Sequence, residues 1–250
     1  MKDLENKVAI VTGAGSGIGK AVALLYAVEG AKVVVSDINE ESGNETVEQI
    51  KKRGGEAMFI YTDTAKRTDH QFLVDQTLKH YGSLHIACNN AGIGGPQGMT
   101  GDFPIDDWDK VISINLSGVF YGMHAQIPAM LTSGGGNIIN MASILGSVGT
   151  KMSPAYVASK HGVVGLTKAA ALEYADKKIR VNSVGPGYIN TPLLTKSLDE
   201  SMMNSIASLH PIGRLGTSEE VAELVLWLSS MRSSFVTGSY YTIDGGYTAQ

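Results

Sequence analysis

Cysteine is almost missing from this chain: Cys88 stands alone. No disulfide can close within it and no cysteine-based metal cluster can form. Cys88 lies in an apolar run and reads as a buried, inert thiol. Positive charge is also sparse. The formal net charge is −4, and Lys51-Lys52-Arg53 and Lys177-Lys178 are short runs, so the footprint of a nucleic-acid binder is missing. No segment offers about 20 consecutive apolar residues, which argues against a membrane span. Met1 to Val11 lack the apolar stretch of a signal peptide, and with a single thiol this makes cytoplasmic residence the expectation. Histidines are few and scattered: His124, His161 and His210 form no His-x-x-x-His or His/carboxylate cluster, so no metal site is expected. Ser143 is not set in G-x-S-x-G, which disfavours a Ser-His-Asp hydrolase.

What the chain does have is glycine, 30 of 250 residues, well above the roughly 7% of average usage. Many tight turns or close backbone approaches are implied. Hydrophobic residues make up 43% and charged residues 18%, enough for a large core. Short β-branched runs at Val8–Thr12, Lys32–Asp37, Ala57–Tyr61, Leu84–Asn89, Asn137–Ala142, Arg180–Val184 and Tyr240–Ile243 read as strands. Most are continuously apolar, as strands covered on both faces are. Helical patterns alternate with them at Gly19–Glu29, Glu40–Arg53, Asp69–Tyr81, Trp108–Leu131, Ala155–Ala175 and Ser218–Ser230. The alternation predicts an α/β fold: one domain over 1–250, a Rossmann-type doubly wound parallel sheet of about seven strands with helices on both faces. Residues 190–217 break the rhythm between Thr191-Pro192 and His210-Pro211-Ile212-Gly213, and are read as a substrate lid.

Thr12-Gly13-Ala14-Gly15-Ser16-Gly17-Ile18-Gly19 follows the first strand and opens the first helix. Glycines there let backbone approach a pyrophosphate, and the helix N-terminus supplies unpaired N–H groups. The spacing is T-G-x-x-x-G-x-G, which makes Gly13, Ser16, Gly17, Ile18 and Gly19 candidates for a dinucleotide site. Asp37 ends the second strand, 18 residues after Gly19. A carboxylate there can accept both ribose hydroxyls and would repel the additional phosphate of NADP. NAD is therefore the expected cofactor, with Ile38 beside it; Lys20 is the one nearby cation.

Tyr156 and Lys160 are four apart in a helical pattern and share a face. Ser143 follows the fifth strand, at the carboxyl end where α/β ligands bind. Together with Asp63-Thr64, Asn89-Asn90-Ala91-Gly92, Trp108 and Asn115 in Trp-Asp-Lys-Val-Ile-Ser-Ile-Asn, Pro186-Gly187 and Thr191, these pieces resemble the short-chain dehydrogenase/reductase family along essentially the whole chain. The resemblance implies a catalytic tetrad of Asn115, Ser143, Tyr156 and Lys160. Tyr156 would be the acid/base, Ser143 would hold the substrate oxygen, and Lys160 would bind the nicotinamide ribose. It places Asn115 at a helix distortion where a water continues a proton path. It sets Asp63 and Thr64 beside adenine, Asn90, Ala91 and Gly92 beside the ribose, and Pro186, Gly187, Ile189 and Thr191 around the nicotinamide. Asn89 and Trp108 are read as structural. The chemistry agrees, because a free tyrosine has a pKa near 10. One positive charge at about 4 Å is worth roughly 4 kcal/mol at an effective dielectric near 20, or about three pKa units at most.

The expected substrate pocket, with Gly94, Leu145, Tyr188, Met202 and Ile206, is mainly apolar and carries no obvious cation. A hydrophobic secondary alcohol/ketone pair is favoured, a small molecule handled by an NAD(H)-dependent alcohol dehydrogenase or carbonyl reductase. Two alternatives stay open in the same family: a 3-oxoacyl-carrier-protein reductase, for which Arg214 and Lys196 would be the basic contacts, and a polyol, sugar or steroid dehydrogenase. A silent cofactor-binding sensor or scaffold is a third. The resemblance also suggests a homotetramer, with the helical stretches 108–131 and 155–175 able to bury a second face.

Overall fold

The computed structural model describes residues 2–195 and 200–250. Seven strands form one parallel sheet in the order β3-β2-β1-β4-β5-β6-β7. They are β1 (Val8–Thr12), β2 (Lys32–Asp37), β3 (Glu56–Tyr61), β4 (Ile86–Asn89), β5 (Gly136–Met141), β6 (Ile179–Pro186) and β7 (Tyr240–Ile243). The reversal of order at β1 opens a crevice beyond the strands' carboxyl ends, between β1 and β4. β6 runs two residues past its expected end because Gly185 and Pro186 pair with Thr242 and Ile243 of β7.

Helices α1 (Gly17–Val28), α2 (Glu40–Lys52) and α9 (Ser218–Ser229) cover one face. Helices α3 (Arg67–Tyr81), α5 (Gly118–Thr132) and α6 (Pro154–Tyr174) cover the other. The strands are buried on both sides, so alternate residues feed opposite cores: Ala9, Val11, Val33 and Val35 one, Ile10 and Val34 the other. Local chemistry fixes several ends. Asn39 accepts from Ser42 N at the start of α2, Thr217 and Glu220 form a reciprocal capping box on α9, and Gly82 closes α3 in the left-handed region.

The expected helix 108–131 is three segments: α4 (Ile105–Ile112), a π-turn over Ser113–Ser117, and α5. Asn115 is the buried residue of the π-turn. Between β6 and α9 lie α7 (Pro192–Thr195) and α8 (Glu200–Ala207). Lys196 of the expected lid is outside the described residues. Among those described, no helix is long and apolar enough to cross a membrane.

Candidate active site

The glycine turn and the loop after β4 are fastened to each other. Thr12 Oγ1 accepts from the Asn90 and Ala91 amides at 3.0 and 3.1 Å, and Asn90 Nδ2 donates to the carbonyls of Thr12 and Gly13 at 3.0 and 3.3 Å. Gly13 has φ +64°, and a Cβ there would lie 2.9 Å from Ala91 Cα. The turn needs glycine for both conformation and space. Helix α1 then starts at Gly17, two residues earlier than expected; Ser16, its exposed N-cap, makes no side-chain cap, and no acidic residue sits in the first turn. The amides of Ile18 and Gly19 and the positive end of the helix are left to an anionic guest. Gly17 abuts Thr191, so the loop after β6 reaches the same turn.

Asp37, at the end of β2, accepts from Gly15 N at 2.8 Å through one carboxylate oxygen and from Asn39 N at 2.9 Å through the other. A carboxylate offers about four acceptor positions, so room remains for ribose hydroxyls. Ile38 beside it is exposed, an apolar surface at the crevice rim. Asp63 is tied down by its own loop, accepting from Ala65 N at 3.1 Å and pairing with Lys66 at 3.3 Å. The carbonyl of Thr64 contacts His70 Nε2 at 3.0 Å. The cradle these residues line fits a dinucleotide: glycine at each close approach, a helix N-terminus in the middle and a carboxylate at one end.

At the other end, Lys160 is buried and its Nζ donates to Met141 O at 2.8 Å. Burial pushes its pKa down to about 8. Its Nζ is 5.5 Å from the centroid of the Tyr156 ring, one helical turn away on α6. The Tyr156 hydroxyl faces the Ser143 side chain. Burial raises the Tyr156 pKa, and the Ser143 side chain opposes that rise. Within the chain itself burial is the largest influence on the phenol. Ser143 Oγ also accepts from Leu145 N at 3.2 Å, which leaves its own proton to point elsewhere. Asn115 holds the loop after β4, donating to Ile93 O at 2.8 Å and accepting from Ile93 N at 2.9 Å. A Cβ on Gly92 would sit 3.2 Å from Asn115 Oδ1 and 3.7 Å from Lys160 Nζ. All four tetrad positions thus converge on the ends of β4 and β5.

Asn89 is structural, as expected. Its amide pairs reciprocally with Gln126 of α5 and donates to Asn140 of β5 at 2.9 Å; Asn140 donates to Thr167 of α6 at 3.0 Å. Cys88 is buried, its thiol pushed up to about 12. Trp108 packs less fully than expected and stays about one-third exposed on α4.

The pocket residues are more scattered. Leu145 is buried two residues after Ser143, Tyr188 is half-buried, Gly94 lies on an exposed loop, and on α8 Ile206 is half-buried while Met202 is exposed. His210, isolated in sequence, is not isolated in space. It is buried, accepts from Tyr188 N at 3.1 Å through Nε2, contacts Ile206 O at 3.0 Å through Nδ1, and meets the rings of Tyr188 and Tyr247 edge-on or tilted. It therefore joins α8 to the loop after β6. Sequence spacing gives no hint of the contacts with Tyr188 and Tyr247, which lie 22 and 37 residues away.

A family model described as enoyl-(acyl carrier protein) reductase matches residues 13–248. Cyclohexanol dehydrogenase of Acinetobacter sp. (strain SE19) is 53% identical over 245 residues, 98% of this chain and 96% of that one. The crystal structure of levodione reductase superposes with a TM-score of 0.96 at 34% identity, covering 98% of this chain and 99% of that one. A putative 2-deoxy-D-gluconate 3-dehydrogenase from Agrobacterium tumefaciens with bound NADP gives a TM-score of 0.91 at 36% identity, covering 99% and 98%. With sheet order, glycine turn and Tyr-x-x-x-Lys helix all in place, the chain belongs to the short-chain dehydrogenase/reductase family and is an oxidoreductase acting on CH–OH and C=O groups.

Proposed function

We propose that this enzyme interconverts alicyclic secondary alcohols and their ketones using NAD(H). The observation that carries the reading is the Ser143–Tyr156–Lys160 group at the ends of β5 and α6, beside a pocket wall of Leu145 and Tyr188. The ring class follows the cyclohexanol dehydrogenase that is 53% identical over nearly the whole chain.

A nicotinamide cofactor held here would supply the hydride acceptor for the carbinol carbon in oxidation and the hydride donor in reduction. Tyr156, as phenolate, accepts the hydroxyl proton, and in reduction it returns that proton to the carbonyl oxygen. Ser143 donates to the same oxygen and holds it within reach of Tyr156. Lys160, buried and held by Met141 O, places a positive charge near the phenolate and binds the nicotinamide ribose. Asn115 fixes the backbone of Ile93 and, at the π-turn, carries the water that leads the proton outward. Gly13, Ser16, Gly17, Ile18 and Gly19 would hold the pyrophosphate, Asp37 the adenosine ribose, Asp63 and Thr64 the adenine, Asn90 to Gly92 the second ribose, and Pro186 to Thr191 the nicotinamide.

NAD rather than NADP rests on Asp37, because a phosphate on the ribose would meet a carboxylate already fixed by Gly15 and Asn39. A relative at 36% identity holds NADP, so family membership alone does not choose. The carrier-protein alternative loses support because Arg214 is held bidentate by Glu220, at 2.9 and 2.6 Å, and is not a free docking cation. The described residues 200–217 would serve as the lid, latched through His210. Exposed Ile105, Phe120, Leu131 and Leu172 on α4, α5 and α6 suit pairing of identical subunits, so light scattering should return four times the chain mass of 26.4 kDa.

The test is turnover of cyclohexanol with NAD+ and with NADP+, and of cyclohexanone with the reduced forms, followed by nicotinamide absorbance beside Tyr156→Phe. NAD+ preference with loss in the variant supports the proposal. NADP+ preference overturns the Asp37 argument. Turnover only of polyols, sugars, sterols or acyl-carrier thioesters overturns the ring class, and cofactor binding without any turnover favours the sensor.

A further inference from the structure

Ser143 is set by a contact that comes from two strands away. Tyr240 is the first residue of β7, paired with Ser183 of β6. Its ring crosses β6 above Gly185, where a Cβ would run into both the ring and the hydroxyl. The hydroxyl then donates to the main-chain carbonyl of Ser143 at 2.6 Å. That carbonyl also accepts from Gly146 N at 2.8 Å, so both of its lone pairs are used. The Ser143–Gly146 turn is thereby fixed from both sides, one bond closing it and the other anchoring it to the sheet. Ser147 Oγ, 3.5 Å from the Tyr240 hydroxyl, adds a weaker contact one residue beyond.

We infer that Tyr240 is a positioning residue for Ser143, with Gly185 serving as the gap in β6 that lets it reach. The inference rests on the proposed roles of Ser143 and Tyr156. Neither Tyr240 nor Gly185 lies where a substrate oxygen would bind, so the effect passes through the Ser143 carbonyl. With that anchor lost, the turn relaxes and the Ser143 hydroxyl moves relative to Tyr156. A displacement of a few tenths of an ångström at a reacting oxygen is enough to cost about tenfold in rate, since about 1 Å costs on the order of a hundredfold. Before substrate binds, the Ser143 hydroxyl faces Tyr156 and favours its ionised form, so its displacement must also leave the phenol harder to ionise. The other groups facing Tyr156, Lys160 on α6 and Tyr188 after β6, are untouched by the change.

The experiment compares Tyr240→Phe and Gly185→Ala with Ser143→Ala and Tyr156→Phe, all as full-length enzyme. Measured are kcat and KM for cyclohexanol, the dissociation constant of NAD+, and the acid limb of the pH profile for oxidation. Expected for Tyr240→Phe is a kcat about tenfold lower with NAD+ affinity unchanged. Its acid limb should move to higher pH, in the direction of Ser143→Ala. Gly185→Ala should give the same signature by pushing the ring aside, and in a Tyr240→Val background should add no further loss. Wild-type kcat and limb in Tyr240→Phe, with Ser143→Ala and Tyr156→Phe crippled, overturns the inference. So does a fall in kcat matched by an equal loss of NAD+ affinity or with the limb unmoved, because that is general loosening. Activity surviving in Tyr156→Phe would instead sink the proposed function.

Discussion

Tyr156 and Lys160 face opposite demands at one spot. Burial drives both toward their neutral forms, raising the phenol and lowering the ammonium to about 8. Proton transfer needs the phenolate and the ammonium together, so each must be stabilised by the other and by Ser143 against the dry surroundings. Replacing Lys160 by Ala removes the cation, and the acid limb of the oxidation profile should shift upward; an unmoved limb would contradict the assigned tuning. The same burial has a consequence for folding. The folded pKa of Lys160 is about 8 against an ordinary 10.5, so between those pH values the unfolded chain binds the extra proton. Stability therefore rises with pH across that window. Relative to Lys160→Met, the wild type should gain up to about 3 kcal/mol between pH 8 and 10.5, read by urea unfolding at each pH without cofactor. A constant gap would mean that Lys160 is not desolvated. Much of this site was legible in the sequence, because Tyr156 and Lys160 are one helical turn apart and Ser143 ends an apolar strand. Tyr240 and His210 were not, since their partners are set by the sheet and the lid rather than by any local period.

At the scale of elements, the break in the helix over 105–132 separates two kinds of buried amide. Asn115 occupies the π-turn and serves the Ile93 backbone on the site side. Gln126, eleven residues on in α5, serves Asn89 and through it the β4–β5 pairing. Removing either leaves buried polar groups without partners, at about 1–3 kcal/mol. Asn115→Leu should show that loss in urea unfolding together with a large fall in kcat, because the loop carrying Gly92 and Ile93 borders Lys160. Gln126→Leu should show a comparable loss of stability with kcat nearly unchanged. If Gln126→Leu lowered kcat as much as Asn115→Leu, the division between site and scaffold would be wrong. The sequence pattern ran one helix through this region because its apolar residues continue on both sides. A π-turn adds a single residue to one turn, and that small a phase shift is hidden within the scatter of an apolar helix.

For the molecule as a whole, sheet order decides where a dinucleotide can act. In the proposed binding mode the adenosine end would rest on β1, β2 and β3 through Gly13, Asp37 and Asp63, and the nicotinamide end on β4, β5 and β6 through Asn90, Ser143 and Pro186. Within the sheet those halves pair along β1–β4, where three residue pairs are in register, and α1 and α9 share one core across that seam. A ligand spanning the crevice bridges them, and a ligand bound only to the native state stabilises all of it by mass action. At a hundred times its dissociation constant NAD+ should add about 2.7 kcal/mol. For a domain of this size about 2–4 °C of Tm accompany each kcal/mol, so a rise of roughly 5–10 °C is expected by scanning calorimetry. NADP+ at the same concentration should raise Tm far less, since its phosphate must approach Asp37. In Asp37→Ala the NAD+ shift should shrink and the NADP+ shift grow until the two nearly meet. Equal shifts in the wild type would place cofactor choice somewhere other than Asp37, with Lys20 the first residue to replace. This readout needs no turnover, so it tests the cofactor half of the proposal even if the true alcohol is not a cyclohexanol.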